Sequence, residues 1–276
     1  MPSAYLLVSH GSHDPRPQVA MEHLAALISQ FKAPVENEVR RKEEEGSRMN
    51  WDRGFNPTQM MTEFMQGRES LVGTACLELS PEPLHEQIKE FGDRVASRNE
   101  NRAVGFGCNR IQVVPLFLLA GVHVMEDIPA EVAKARQALG ELKIDLRPHL
   151  GTHPGLSRLL ATQMAGKADA WILLAHGSRR PGSKQPVEAI ARQLGSQAAY
   201  WAVAPRLESR VKELVAAGHR HIGILPYFLF AGGITDAIAQ SVEQLKVQFP
   251  GVLLELAEPI GASAQLADLI WDLMEK

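Results

Sequence analysis

Four apolar runs without alternating polar positions mark the chain, and they read YLLV, VVPLFLL, WILLA and ILPYFLF. Strands of a parallel sheet have this pattern because helices bury both of their faces. Stretches with helical spacing follow the runs, as in 130–142, where Val132, Ala135 and Leu139 share a face. Strands that alternate with helices predict an α/β fold with a parallel sheet. The predicted strands lie near 4–9, 71–79, 111–118, 145–150, 170–175, 198–203, 221–229 and 252–257.

The pattern occurs twice along the chain. Residues 6–16 read LLVSHGSHDPR and 172–182 read ILLAHGSRRPG, while 113–128 (VVPLFLLAGVHVMEDI) return as 224–238 (ILPYFLFAGGITDAI). Matched residues are 166 positions apart at His10 and His176, 111 apart at Pro115 and Pro226, and 110 apart at Gly151 and Gly261. A period above 100 residues is far longer than a solenoid repeat and indicates two copies of a whole domain.

The repeat predicts two tandem domains, each a four-stranded parallel sheet flanked by helices, over residues 1–165 (the first half) and 166–276 (the second half). The fall in separation from 166 to 111 places about 55 extra residues between His10 and Pro115, and the composition predicts an insertion near 34–70 within this stretch. The insertion mixes charges of both signs with few aliphatic residues, which indicates a solvated surface excursion. Its methionines and aromatic residues keep a lid or a subunit contact open as alternatives.

Three residues at predicted strand ends are candidate metal ligands. His10 follows the first strand, His123 follows another through the turn Ala120-Gly121, and Glu78 ends a third. Ligands of open α/β sheets bind beyond the carboxyl ends of the strands, so the three side chains could face one another. Two imidazoles and a carboxylate suit a borderline divalent metal. The spacing alone leaves structural roles for the histidines equally open.

The second half lacks most of this chemistry. It keeps His176, but Gly232-Gly233-Ile234 stand at the position of His123, and Trp201 falls where Glu78 is expected. Loss of both partners together predicts one active half and one supporting half, with the contribution of His176 left open.

Polar residues around the two HGS turns are candidate substrate contacts. Ser12 and Arg16 lie in or after the first turn, and Arg179, Arg180 and Lys184 follow the second. Arginines of this kind are usually solvated, but they can also hold carboxylates. Glu126 and Asp127 follow His123, where they complement a helix N-terminus or orient the imidazole.

Composition narrows the function classes. The net charge of −3 gives no general attraction to nucleic acid, and no apolar stretch is long and unbroken enough to span a membrane. The two cysteines, Cys76 and Cys108, are far apart, which excludes a disulfide framework and favours a cytoplasmic location. No GxxxxGK[ST] occurs, so a P-loop ATPase is not expected, and no GxSxG marks an ordinary α/β-hydrolase.

The motifs HGSxDPR, C-LEL, VVPLFLLAGVHVMEDIP and LPYFLFAGGI resemble those of the two-domain sirohydrochlorin chelatases of the CbiX/SirB type, which are class II chelatases. The resemblance covers both halves, apart from the insertion near 34–70, and implies two flavodoxin-like domains that insert cobalt or iron into sirohydrochlorin without ATP. It implies that His10 and His123 are the metal-site histidines and Glu78 the carboxylate. The metal is then a substrate, and no tightly bound cofactor is expected. His13 stands where the family usually has Arg, which puts one carboxylate contact in doubt.

Two further functions stay open beside this one. The same fold would serve a non-catalytic carrier of a metal or tetrapyrrole, or a chelatase for another tetrapyrrole such as protoporphyrin. The basic turns favour the more acidic sirohydrochlorin. The choice between cobalt and iron and the formation of a homo-oligomer are not decided by the sequence.

Overall fold

The computed structural model describes residues 4–30, 71–100, 108–140, 142–164, 166 and 168–275, so the predicted insertion near 34–70 lies outside the described residues. The first half contains β1 (Ala4–Ser9), α1 (Pro15–Ser29), β2 (Val72–Cys76), α2 (Leu84–Glu100), β3 (Arg110–Pro115), α3 (Ile128–Leu139), β4 (Lys143–Leu146) and α4 (Leu156–Gln163). The second half contains β5 (Ala170–Ala175), α5 (Gln185–Gln193), β6 (Gln197–Tyr200), α6 (Leu207–Ala216), β7 (His221–Pro226), α7 (Gly233–Gln248), β8 (Leu253–Leu256) and α8 (Ala264–Glu275).

Each half forms one parallel sheet of four strands, in the orders β2-β1-β3-β4 and β6-β5-β7-β8. The predicted α/β fold with two tandem four-stranded domains is therefore confirmed. Several strands are shorter than predicted, because the sequence pattern reports burial and not pairing. Leu116 and Tyr227 lie one residue beyond the ends of β3 and β7, yet they are only 4% and 3% exposed. The strand predicted at 145–150 runs over Lys143–Leu146, and Leu150 is instead buried in a short 3₁₀ turn.

Successive residues of the strands point to two different cores. In β1, Leu6 and Val8 pack with α2 and α3, whereas Tyr5 and Leu7 belong to a central core. That central core also contains Leu173 of β5, so it is shared by both halves. The predicted boundary at 165/166 stays a prediction, since packing crosses it.

The last helix of each half is bonded to the other half. In α4, the Ser157 hydroxyl donates to Gln193 of α5 at 2.8 Å. In α8, the carbonyl of Leu273 accepts from Arg147 at 2.9 Å, and the ring of Trp271 lies 5.8 Å from that of Tyr5 in β1. The two halves are thus joined by a reciprocal exchange of helices. None of the described helices is long and apolar enough to cross a membrane.

Candidate metal centre

The structure brings His10, Glu78 and His123 together at the carboxyl ends of β1, β2 and β3. Their ligand atoms all lie within 4.8 Å of one another. His10 Nε2 is 3.7 Å from one Glu78 oxygen, His123 Nδ1 is 4.0 Å from the other, and the imidazole centroids are 4.8 Å apart. The three side chains are 51%, 49% and 33% exposed, respectively. A partly open cluster of two imidazoles and one carboxylate can bind a divalent metal and leave coordination positions for exchange.

Main-chain contacts fix His10 and Glu78 relative to each other. The Glu78 N–H donates to the His10 carbonyl at 2.9 Å, which continues the β1–β2 ladder past the last assigned pair. Gly11, at φ +99°, lies directly against this segment, where a Cβ would be 2.0 Å from the Glu78 carbonyl oxygen. A side chain at residue 11 would therefore push apart the two chain ends that carry the ligands.

Gln87 of α2 closes the outer side of the strand that leads to Glu78. Its side-chain oxygen accepts from the Cys76 N–H at 3.0 Å, and its amide donates to the Cys76 carbonyl at 2.8 Å and to the Glu82 carbonyl at 2.8 Å. β2 is an edge strand, so this amide takes the place of a neighbouring strand. Gln87 was not predictable from the sequence, since no local pattern marks a side chain that pairs with a strand eleven residues away.

His123 begins a π-helical turn, His123–Asp127, that leads directly into α3. The wider turn brings the Asp127 carboxylate to 2.8 Å from His123 Nδ1. Of the two interpretations of Asp127, orientation of the imidazole is thus the one with a contact. A carboxylate at one ring nitrogen of a histidine fixes the tautomer and leaves the lone pair of the other nitrogen available to a ligand.

The π turn contains one residue more than the matching segment of the second half. Leu116 and Tyr227 both donate to the central strand of their sheet, and they are 111 positions apart. The buried positions of the following helices are 110 apart, and they are Ile128, Val132 and Ala135 in α3 and Ile238, Val242 and Leu245 in α7. The fall from 111 to 110 was visible in the sequence repeat, and the structure locates it in this turn. π turns of one extra residue are frequent at functional sites.

The second half corrects one expectation about the repeat. Ala202, not Trp201, occupies the position of Glu78, because the Ala202 N–H donates to the His176 carbonyl as Glu78 does to His10. Trp201 instead corresponds to Leu77, since both donate to the last residue of the central strand. The carboxylate is still missing from the second half, so the difference between the halves remains.

Phe117 lies beside both histidines and was not singled out in the sequence. Its ring centroid is 6.4 Å from that of His10 and 6.3 Å from that of His123. The Phe117 carbonyl accepts from Gly151 at 2.9 Å and is 2.9 Å from His149 Nδ1, so the segment after β3 is tied down.

Arg16 is held by two carboxylates, one from each half. Asp14 caps α1 by accepting from the Arg16 N–H, and its carboxylate also binds Arg16 Nε and Nη2. Asp236, in the first turn of α7, binds Nη1 at 3.0 Å and Nη2 at 2.5 Å. These hydrogen bonds lower the pKa of Asp14 to about 2 and that of Asp236 below its usual range, and they raise the pKa of Arg16.

The other candidate substrate contacts have different surroundings. Ser12 accepts from the Asp14 N–H at 3.0 Å, and Ser178 makes the same turn with Arg180 at 3.2 Å. Arg179 and Arg180 are exposed, and no carboxylate of the described residues forms an ion pair with them. They line a pocket beside the His176 turn, together with Ser178, Lys184, Gln185 and Val203.

Sequence comparison gives matches on both halves. The sequence model of the CbiX family matches residues 46–166 and again residues 170–276. The chain is 24% identical over 204 residues to the sirohydrochlorin cobaltochelatase of Priestia megaterium, which covers 68% of this chain and 67% of that protein. It is 25% identical over 204 residues to the sirohydrochlorin ferrochelatase of Bacillus subtilis (strain 168), which covers 69% of this chain and 76% of that protein.

Solved structures have the same architecture. SirB from Bacillus subtilis subspecies spizizenii in complex with cobalt superposes with a TM-score of 0.64 at 20% identity, covering 100% of this chain and 94% of that chain. CbiX, described as the terminal enzyme for siroheme biosynthesis in denitrifying bacteria, superposes with a TM-score of 0.57 at 20% identity, covering 99% and 98%. At these identities the likeness shows the fold.

Proposed function

Because the chain belongs to the CbiX family, we propose that it inserts divalent cobalt or iron into sirohydrochlorin without ATP. The observation that carries the proposal is the cluster of His10, Glu78 and His123, whose ligand atoms lie within 4.8 Å of one another. The relatives named as sirohydrochlorin cobaltochelatase and ferrochelatase support the substrate. Both metals suit the same ligands, and the choice between them depends on availability.

The reaction exchanges one cation for two protons. As the metal enters the macrocycle, two pyrrole N–H protons leave, so the charge of the ring is unchanged. In the proposed roles, His10 and His123 hold the metal as neutral imidazoles and then accept the protons, while Glu78 offsets the charge of the cation. Asp127 stabilises the His123 imidazolium that results, because its carboxylate is 2.8 Å from Nδ1.

The halves have different proposed roles. Residues 1–165 supply the metal site, and residues 166–276, which lack the second histidine, help to hold the tetrapyrrole. Arg179 and Arg180 are the main proposed contacts for substrate carboxylates, since both are exposed and unpaired among the described residues. Ser12 and Arg16 are proposed contacts on the side of the first half.

A steady-state assay tests this function. Purified protein is mixed with sirohydrochlorin and Co²⁺, or anaerobically with Fe²⁺, and the metallated product is followed by absorbance. We expect many turnovers per protein, no effect of ATP, and slow conversion of protoporphyrin. Product limited to one equivalent would instead indicate a carrier, and faster conversion of protoporphyrin would replace the proposed substrate.

A further inference from the structure

The ion pair between Arg16 and Asp236 connects the two halves, and Arg16 lies six residues after His10 in the chain. Arg16 belongs to the first turn of α1, which follows the strand that carries His10, and Asp236 belongs to the first turn of α7. The two segments also approach each other here, since a Cβ on Gly232 would lie 3.7 Å from Pro17. The contact is bidentate, with both carboxylate oxygens bound by guanidinium nitrogens.

The repeat does not make this contact a second time. Arg16 corresponds to Gly182, 166 positions later, so the second half has no guanidinium for a reciprocal pair. The positions around Gly182 line the pocket that contains Arg179 and Arg180. The first HGS turn is therefore followed by an arginine that is paired with the other half, and the second is followed by arginines that form no ion pair among the described residues.

We propose that Asp236 occupies the carboxylate-binding fork of Arg16 in the substrate-free protein, and that a carboxylate of sirohydrochlorin displaces it on binding. The inference rests on the proposed function for the identity of the displacing anion. Asp236 is then an internal competitor that sets the affinity for the tetrapyrrole. Binding of substrate therefore also breaks the Arg16–Asp236 ion pair between the halves.

Asp14 makes such an exchange feasible, because it holds Arg16 independently of Asp236. The Asp14 carboxylate binds Arg16 Nε at 3.0 and 3.1 Å and also accepts from the Arg16 main chain. Nη1 donates to Asp236, and it becomes available to the substrate when Asp236 leaves. The guanidinium would thus keep its orientation, so the Arg16 side chain loses little conformational entropy when the substrate carboxylate binds.

The exposure of the partners indicates that the pair is easily broken. The side chains of Arg16 and Asp236 are 47% and 52% exposed, whereas that of Asp14 is 21% exposed. An exposed ion pair of this kind makes the paired form more populated than the unpaired (open) form by a factor of about five at most. The cluster also carries two carboxylates for one guanidinium, so Asp236 repels an approaching anion as well as blocking its partner.

The test measures the Kd of metal-free sirohydrochlorin from its absorbance and fluorescence, with the full chain. The variants are Asp236→Ala, Arg16→Ala and the double variant. If Asp236 masks Arg16, its removal should lower Kd about two- to sixfold, because only the open fraction of the parent binds. Arg16→Ala should raise Kd about tenfold. In the Arg16→Ala background, Asp236→Ala should then lower Kd clearly less than it does in the parent, because only the repulsion is left to relieve.

Glu243→Gln provides a matched control, since it removes another exposed ion pair of α7, with Lys246, and should leave Kd unchanged. An unchanged or higher Kd in Asp236→Ala would overturn the exchange and leave the pair as a structural link. An equal gain in both Arg16 backgrounds would also overturn it, because repulsion alone would then explain the result. Failure of the parent to metallate sirohydrochlorin would refute the proposed function, whereas these Kd values test the exchange separately.

Discussion

The two halves of the molecule share a strand order and a central core, but they differ in the turn that follows their third strand. The first half forms a π turn there, which contains His123 and Asp127, and the second half begins the helix α7 directly at Gly233. The buried positions of the helices still match on both sides of the difference. One extra residue has therefore changed the chemistry at the strand ends and left the packing below it intact.

Different residues therefore form the core and the site. Buried strands and helix faces fix where the turns lie, and the exposed turns tolerate changes in length and composition. The second half shows that the scaffold is complete without the histidine, the carboxylate and the π turn.

Removal of one histidine from each half should have the largest and most unequal effects on activity. His10→Ala should lower kcat/KM by about 100-fold or more, because His10 is a proposed ligand and proton acceptor. His176→Ala should change it less than about twofold, since Ala202 supplies no carboxylate beside it. Steady-state kinetics with Co²⁺ will measure both, and comparable losses would show that the second half takes part in the chemistry.

Deletion of Met125 tests the role of the π turn. The side chain is 65% exposed, and its removal would give this turn the residue count of the matching turn in the second half. We expect a folded protein whose kcat/KM for the metal falls by about 10- to 100-fold, because Asp127 no longer orients His123. Met125→Ala keeps the residue count and should retain activity. Full activity after the deletion would remove the π turn from the mechanism.

Gln87→Met should have a smaller effect on the same site. The loss of its hydrogen bonds to Cys76 loosens the strand end before Glu78, with an expected three- to tenfold rise in KM for metal, or about 1 kcal/mol. KM for sirohydrochlorin should not change. Gln193→Met removes an amide contact between the halves, with Ser157, and serves as the control. A rise confined to the KM for sirohydrochlorin would contradict a role in holding Glu78.

The smallest expected effect concerns the pH dependence of stability, through a partly buried carboxylate that only the first half contains at this helix position. Glu131 of α3 accepts from the main chain and the ring of His85 at 3.0 and 2.6 Å, whereas Ser241 takes its place in α7. Burial alone would raise the pKa of Glu131, but hydrogen bonds from Lys134 and His85 outweigh it and lower the pKa from 4.5 to about 2. The depressed pKa means that Glu131 contributes its stabilisation above pH 4.5 and loses it as the pH falls towards 2.

Glu131→Gln should therefore destabilise the protein by about 1 kcal/mol near neutral pH, after allowance for solvent screening. The difference from the parent should shrink between pH 4.5 and 2. Urea unfolding at a series of pH values will measure it. A difference that grows on acidification would have the wrong sign and would reject the assignment.

The fold was predictable because apolar runs report burial directly. The predicted starts of all eight strands lie within two residues of the observed starts. Parallel strands bring their carboxyl ends to one edge, which predicts that His10, Glu78 and His123 lie together. The side chain of Gln87 and the partner of Arg16 were not predictable, since such contacts leave no periodic pattern. The fall in separation from 111 to 110 shows that the first half has one extra residue after its third strand, but apolar spacing alone could not locate that residue in a π turn.

The reciprocal exchange of α4 and α8 has a consequence for how the halves came to differ. Each half lends its last helix to the other, which is the arrangement of a domain-swapped homodimer whose two subunits have been joined. In a symmetric homodimer every substitution appears in both copies, so a residue gained at one site is gained at both. A single chain escapes that symmetry. His123, its π turn and Arg16 could each exist once, because the partner that completes the shared core is encoded separately.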